Sequence, residues 1–259
     1  MTNLLSRLLG RCAAITIAFS AAVAVAAPAV ARAEPTEPFE EIELFEAAGA
    51  VGTLVLPAGA PDRRTPAIVI LQDALGPDGR AALYVDQLLG ADLAVLELSV
   101  TEGMNFGAVV GALAAHPRIL GTHVGMLGFG AGARFVAEWP GRVRARALLY
   151  PGCASLLPAA MPDEAVLLMH GDADALHTRA DCVHLATGLG SAARALRWRV
   201  LAGASYAWDR PTFGAEGRSM LPAPDGSGRI AAAHWPALAA LSAAEVAGFF
   251  ATSLLGPAR

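Results

Sequence analysis

The sequence predicts an α/β fold, a three-layer arrangement in which a mostly parallel central sheet carries helices on both faces. Three observations lead there. Short runs dense in Ile, Val and Leu recur along the chain, as expected of strands buried on both faces. Alanine-rich stretches with helical spacing separate them, and alternation of this kind builds a parallel sheet through right-handed crossovers. The length suits one such unit: setting aside 33 leader residues of the 259 leaves 226, enough for one large core.

Each element follows in order. "EPTEPFE" (34–40) is an extended lead-in, and "EIELF" (41–45) and "VGTLVL" (51–56) read as an antiparallel pair at one sheet edge. "AIVILQ" (67–72) is a buried strand, "GRAALYVDQLLG" (79–90) a helix and "LAVLEL" (93–98) the next strand. "FGAVVGALAAH" (106–116) is a helix stopped by Pro117, "HVGMLGF" (123–129) a strand, and "AGARFVAEW" (131–139) a helix stopped by Pro140. "ARALLYPG" (145–152), "AVLLMHG" (165–171) and "ALRWRVLAG" (195–203) are further strands, with the helix "RADCVHLATGL" (179–189) before the last. "SAAEVAGFFATSLL" (242–255) closes the chain as an amphipathic helix.

The leader is the stretch before Glu34. Arg7 and Arg11 start it, "CAAITIAFSAAVAVAA" is apolar, and Ala31-Arg32-Ala33 offers small residues at a cleavage site. This is the layout of a secretory signal peptide cut after Ala33, which implies a periplasmic or secreted protein. The apolar run is short for a spanning helix and is followed at once by Pro28, so no stable membrane insertion is expected after cleavage.

Composition excludes several functions. Losing Arg7, Arg11 and Arg32 takes the formal charge from −4 to −7, which leaves no electrostatic case for nucleic acid. All 19 basic residues are arginine, so Schiff-base chemistry and a phosphate-loop lysine are absent. The processed chain keeps Cys153 and Cys182, and sequence leaves a disulfide and two buried thiols equally open. His116, His123, His184 and His234 show no ligand spacing, so neither a metal nor another cofactor is expected.

In a sheet of this class the reacting groups sit on loops at the carboxyl ends of strands. There the chain reads "ILQDALG" (70–76), "GFGAG" (128–132), "YPGC" (150–153), "LLMHGDAD" (167–174) and "LAGASYAWD" (201–209). In their order these stretches resemble the dienelactone hydrolase family, a branch of the α/β-hydrolase fold, over about residues 40 to 254. The resemblance implies a nucleophile, an acid and a histidine in that chain order. The acid position falls on Asp174, the nucleophile position on Gly130 and the histidine position on Tyr206. A glycine has no atom with which to attack, and an ordinary tyrosine, with pKa near ~10, cannot serve as a base poised near ~7. Because the members of a triad act as a unit, the two substitutions imply a catalytically degenerate member.

The backbone part of such a site does not depend on those side chains. The resemblance places an oxyanion hole at the N–H of Ala131 and at the loop of Asp73 and Ala74, where a helix N-terminus also favours negative charge. A pocket for a small carbonyl or carboxylate ligand is therefore expected, with a protein partner unidentified. Asp73 reads as a turn former or a pocket carboxylate, and a carboxylate facing the pocket would repel an anionic ligand. Asp174 has a structural reading too, as a loop-capping residue.

The rival is a working hydrolase of small esters or lactones with a displaced nucleophile. His177, three residues past Asp174, is within reach of the pocket on this view, although its plainer reading is a solvated loop residue. Ser205 reads otherwise as a turn former, and Cys153 as a packed thiol or disulfide partner. Gly128-x-Gly130-x-x-Ala133 also fits a dinucleotide fingerprint, but the acidic residue expected about 20 positions on is missing.

Overall fold

The computed structural model describes residues 40–59, 62–99, 103–211 and 217–256; the expected cleavage site after Ala33 lies outside them. Eight strands form one sheet in the order β1-β2-β4-β3-β5-β6-β7-β8. β1 (Glu41–Ala47) and β2 (Ala50–Leu56) make the antiparallel edge, and β2 runs antiparallel to β4 (Ala94–Ser99). From β4 onward every neighbour is parallel: β3 (Thr65–Leu71), β5 (Ile119–Phe129), β6 (Ala145–Leu149), β7 (Met161–Gly171) and β8 (Ala193–Leu201). The fold is the α/β-hydrolase fold that the strand-end motifs implied.

Alternation along each buried strand divides its side chains between two cores. In β5, Leu127 and Phe129 enter one core while Val124 and Met126 enter the other. The first core is closed by α1 (Ala81–Gly90) and α5 (Pro236–Phe250), through Tyr84, Leu88, Val246 and Phe250. The second is closed by α2 (Phe106–Ala115), α3 (Ala131–Glu138) and α4 (Arg179–Ala192), through Val109, Leu113, Val136, Leu185 and Leu189. Caps set two of these helices: Asn105 accepts from the Ala108 N–H, and Thr178 from the Asp181 N–H. Helix α5 with its continuation to Leu255 is apolar and long enough to cross a membrane. Here its apolar side is spent on the core, with Ala243, Val246 and Phe250 fully or nearly fully enclosed.

A second sheet has no counterpart in the sequence expectations. β9 (Arg218–Pro222) and β10 (Arg229–Ala233) form an antiparallel hairpin, tied to the main body by a bridge between Ala232 and Tyr206. Leu221, Ala223, Ile230 and Ala232 pack with Tyr150, Tyr206 and Trp208, so the hairpin lies over the carboxyl ends of the central strands.

Candidate functional site

The turn after β5 has the backbone of a nucleophile elbow. Gly130, at φ 51° and ψ −114°, joins the strand directly to α3. Its neighbours are glycine for contact reasons. A Cβ on Gly128 would meet the backbone of Ala133, and one on Gly132 would meet the Leu71 and Gln72 carbonyls. The strand and helix therefore approach as closely as this turn requires.

A side chain at Gly130 has no room. Its Cβ would overlap the Tyr206 hydroxyl and the Asp73 carboxylate. Those two groups occupy the space in which a nucleophile would stand.

Asp73 has further partners. Its Oδ1 accepts from the Ala74 N–H at 2.8 Å and from the Ala131 N–H at 3.0 Å. These are the two backbone donors expected to form the oxyanion hole, and they converge on one oxygen of the chain's own carboxylate. Asp73 Oδ2 accepts from the Tyr206 hydroxyl at 2.7 Å and lies 3.2 Å from the Arg80 guanidinium. Every partner is a donor, the setting of an ionised carboxylate. Asp73 faces inward, is buried, and satisfies these donors.

A polar network missed in the sequence holds this arrangement. Arg80, which is 2 % exposed, pairs with Asp78 at 2.6 Å and donates to the Tyr150 hydroxyl at 3.1 Å. Asp78 is also paired with Arg210 at 2.7 Å. Tyr150 and Tyr84 each donate to one oxygen of Asp209 at 2.6 Å. Burial pushes the Asp78 carboxyl upward, but its bonds to Arg80 and Arg210 outweigh this and hold it below its ordinary value. Burial raises the Asp209 carboxyl and the Tyr84, Tyr150 and Tyr206 hydroxyls. The three phenols stay protonated as donors, and Tyr206 has no capacity to act as a base near neutral pH.

The acid–histidine corner lies apart in its bonding. His177 Nδ1 is 2.9 Å from Asp174 Oδ2, and His177 Nε2 accepts from the Gly152 N–H at 3.0 Å. Asp174 Oδ1 accepts from the Leu176 N–H at 2.9 Å, which is the loop-capping role. The reading of His177 as solvated is corrected: it is 4 % exposed and stacks on His170 with ring centroids 4.8 Å apart. The i,i+3 spacing from Asp174 was the signal, since the loop folds as a turn that brings the pair together. Nε2 is spent on the Gly152 N–H, and Nδ1 lies against the Asp174 carboxylate.

The other candidates for a displaced nucleophile are similarly committed. Cys153 is bonded to Cys182 in a disulfide that joins the loop after β6 to α4. Ser205 Oγ accepts from the Ala233 N–H at 2.9 Å, fastening the hairpin. Cys153, Cys182 and His170 bring possible metal-ligand atoms within 4.8 Å of one another. The sulfurs are bonded to each other, however, and a metal requires thiolates. Beside the elbow, a cleft of about 330 Å³ is lined by Gln72, Asp73, Ala74, Ala131 and Phe135 among others.

No protein-family model matches the chain, and no curated protein does. Solved structures do. A dienelactone hydrolase-like promiscuous phosphotriesterase from metagenomic libraries is 18 % identical, with 84 % of this chain and 99 % of that one aligned at a TM-score of 0.61. A thermostable esterase from Pseudomonas putida is 12 % identical over 85 % of this chain and 84 % of that one, at 0.59. An esterase from Thermogutta terrifontis is 14 % identical over 86 % and 95 %, at 0.58. These similarities are to hydrolases in fold.

Proposed function

We propose that this chain is an exported, dienelactone-hydrolase-like protein that has lost hydrolysis and serves as a binding protein for a small ligand or a partner. The observation that carries the proposal is the position of Asp73. An oxyanion hole works by keeping N–H donors pre-aimed at the charge that develops on a substrate carbonyl. Here the Ala74 and Ala131 donors already serve an internal carboxylate. A substrate oxygen would have to displace that charge, together with its bonds to Tyr206 and Arg80.

The missing attack and the filled hole support each other. Glycine at 130 makes space for Asp73 and Tyr206, and those two make any larger residue at 130 incompatible. The carbonyl or carboxylate ligand expected at the hole itself is thereby replaced by the protein's own group. A ligand must bind beside the elbow or elsewhere on the surface.

The test is treatment of the purified mature protein with fluorophosphonate and iodoacetamide probes, alongside an activated-ester assay. The expected result is no stoichiometric adduct and no turnover above buffer. Stoichiometric labelling with turnover, both abolished by replacing the labelled residue, would overturn the proposal in favour of a working hydrolase. Reconstruction gives a finer reading. Gly130→Ser with Tyr206→His is expected to stay inactive while Asp73 remains, and adding Asp73→Gly is expected to release measurable esterase activity. Activity in the double variant would show that Asp73 does not block the hole.

A further inference from the structure

Tyr206 and Ser205 are neighbours on one extended segment, so their side chains point to opposite sides. Tyr206 reaches the elbow. Ser205 lines a separate pocket of about 360 Å³, shared with Ala173, Gly203, Arg218, His234 and Trp235. The hairpin supplies its wall through the same alternation. Leu221, Ile230 and Ala232 turn into the core, whereas Arg218 stands opposite Ala233 in the ladder and shares the outer face with Ala231.

Three features of this pocket remain unused by the fold. The Arg218 guanidinium takes part in no ion pair or hydrogen bond among the described residues, unlike the enclosed Arg80 and Arg146. The Nδ1 atom of His234 is buried with no hydrogen-bond partner. Trp235 is 45 % exposed at the rim, a large apolar surface left to solvent. The nearby Asp172 carboxylate is already engaged, accepting from the Gly203 N–H at 2.6 Å.

We propose that this pocket, formed by Arg218, His234, Trp235 and Ser205 under the β9–β10 hairpin, binds a small planar carboxylate. The guanidinium matches a carboxylate with two parallel donors. An imidazole with a buried, unpartnered nitrogen gains a hydrogen bond on binding, which removes a standing desolvation cost. The indole face and the alanine and glycine floor suit a flat apolar body, since no branched side chain stands in the way. The inference rests on the chain being a binding protein and names the site and ligand class, distinct from the filled elbow.

Benzoate is the probe, with benzamide as its uncharged counterpart. Both are titrated into the full mature chain, followed by amide chemical shifts and by calorimetry. The expected result is saturable benzoate binding, with shifts centred on Ala173, Gly203, Arg218 and residues 231–235. Benzamide and the Arg218→Gln variant are each expected to bind about tenfold more weakly, the loss of one charge-assisted contact. Trp235→Ala is expected to weaken both probes. Absence of saturable binding, equal affinity for the two probes, or shifts centred on Asp73 and Ala131 would overturn the inference. The labelling and ester assay is read separately, so a working hydrolase would refute the non-catalytic proposal without deciding this one.

Discussion

Two corners of the strand-end surface make an instructive pair. At the elbow, Asp73 and Tyr206 crowd Gly130 on a turn that has the backbone of a nucleophile elbow. At the other corner, Asp174 and His177 form an acid–imidazole pair, yet its free nitrogen is spent on the Gly152 N–H. One corner has the frame without reactive side chains, and the other has a reactive-looking pair without a target. Neither motif nor residue type alone reports activity in this fold. What each donor and acceptor is bonded to decides it.

The largest effect on this contrast is expected from Arg80→Met. It strips Asp73 and Asp78 of a buried cation, and breaking buried pairs of this kind costs about 3–5 kcal/mol. Chemical denaturation measures it, and a loss below about 1 kcal/mol would place the pair in the weak class typical of exposed ions. Gly130→Ala follows. Overpacking against Asp73 and Tyr206, added to a positive φ, is expected to cost about 2–4 kcal/mol. Gly111→Ala, where nothing lies within 4 Å of the new methyl group, is the control and should stabilise by about 0.5–1 kcal/mol.

Tyr206→Phe removes one of the donors to Asp73 and leaves the two backbone N–H groups in place. A loss of about 1–2 kcal/mol is expected, and no gain of ester hydrolysis. The smallest effect belongs to the second corner. Burial holds His170 below its ordinary value of 6.5, so the unfolded chain takes up that proton first. Its contribution is complete above pH 6.5 and is lost as pH falls through the lower folded value. Asp209, raised by burial, works in the opposite sense, gaining as pH falls. Comparison of wild type with His170→Gln therefore isolates the histidine: the melting temperature should fall less in the variant between pH 7 and 5.

Much of the fold was legible because the central strands are runs such as "AIVILQ" and "LAVLEL", buried on both faces and bounded by helix signals. The elbow was legible because Gly128, Gly130 and Gly132 straddle the end of such a strand. The hairpin was not. Its strands are short and built mostly of Arg, Ser, Met and Ala, with Ile230 their single β-branched residue, and only the turn-forming "PDGSG" between them signals a reversal. Arg80 gave no signal, since an arginine at a helix start ordinarily reads as solvated. Asp73 was marked as a pocket residue, but which way a carboxylate turns depends on partners 58 and 133 positions away. His177 was misjudged although its partner lay only three residues back, a spacing that a turn closes into a contact.

The central claim is that the chain's own carboxylate fills the oxyanion hole. The most direct test is the behaviour of the Ala74 and Ala131 amide protons by nuclear magnetic resonance, in wild type and in Asp73→Ala. Both protons should lie far downfield and exchange slowly in wild type, since each donates to a charged acceptor. Both should move upfield and exchange faster in the variant. Fast-exchanging amides in wild type, or shifts unaffected by Asp73→Ala, would contradict the claim.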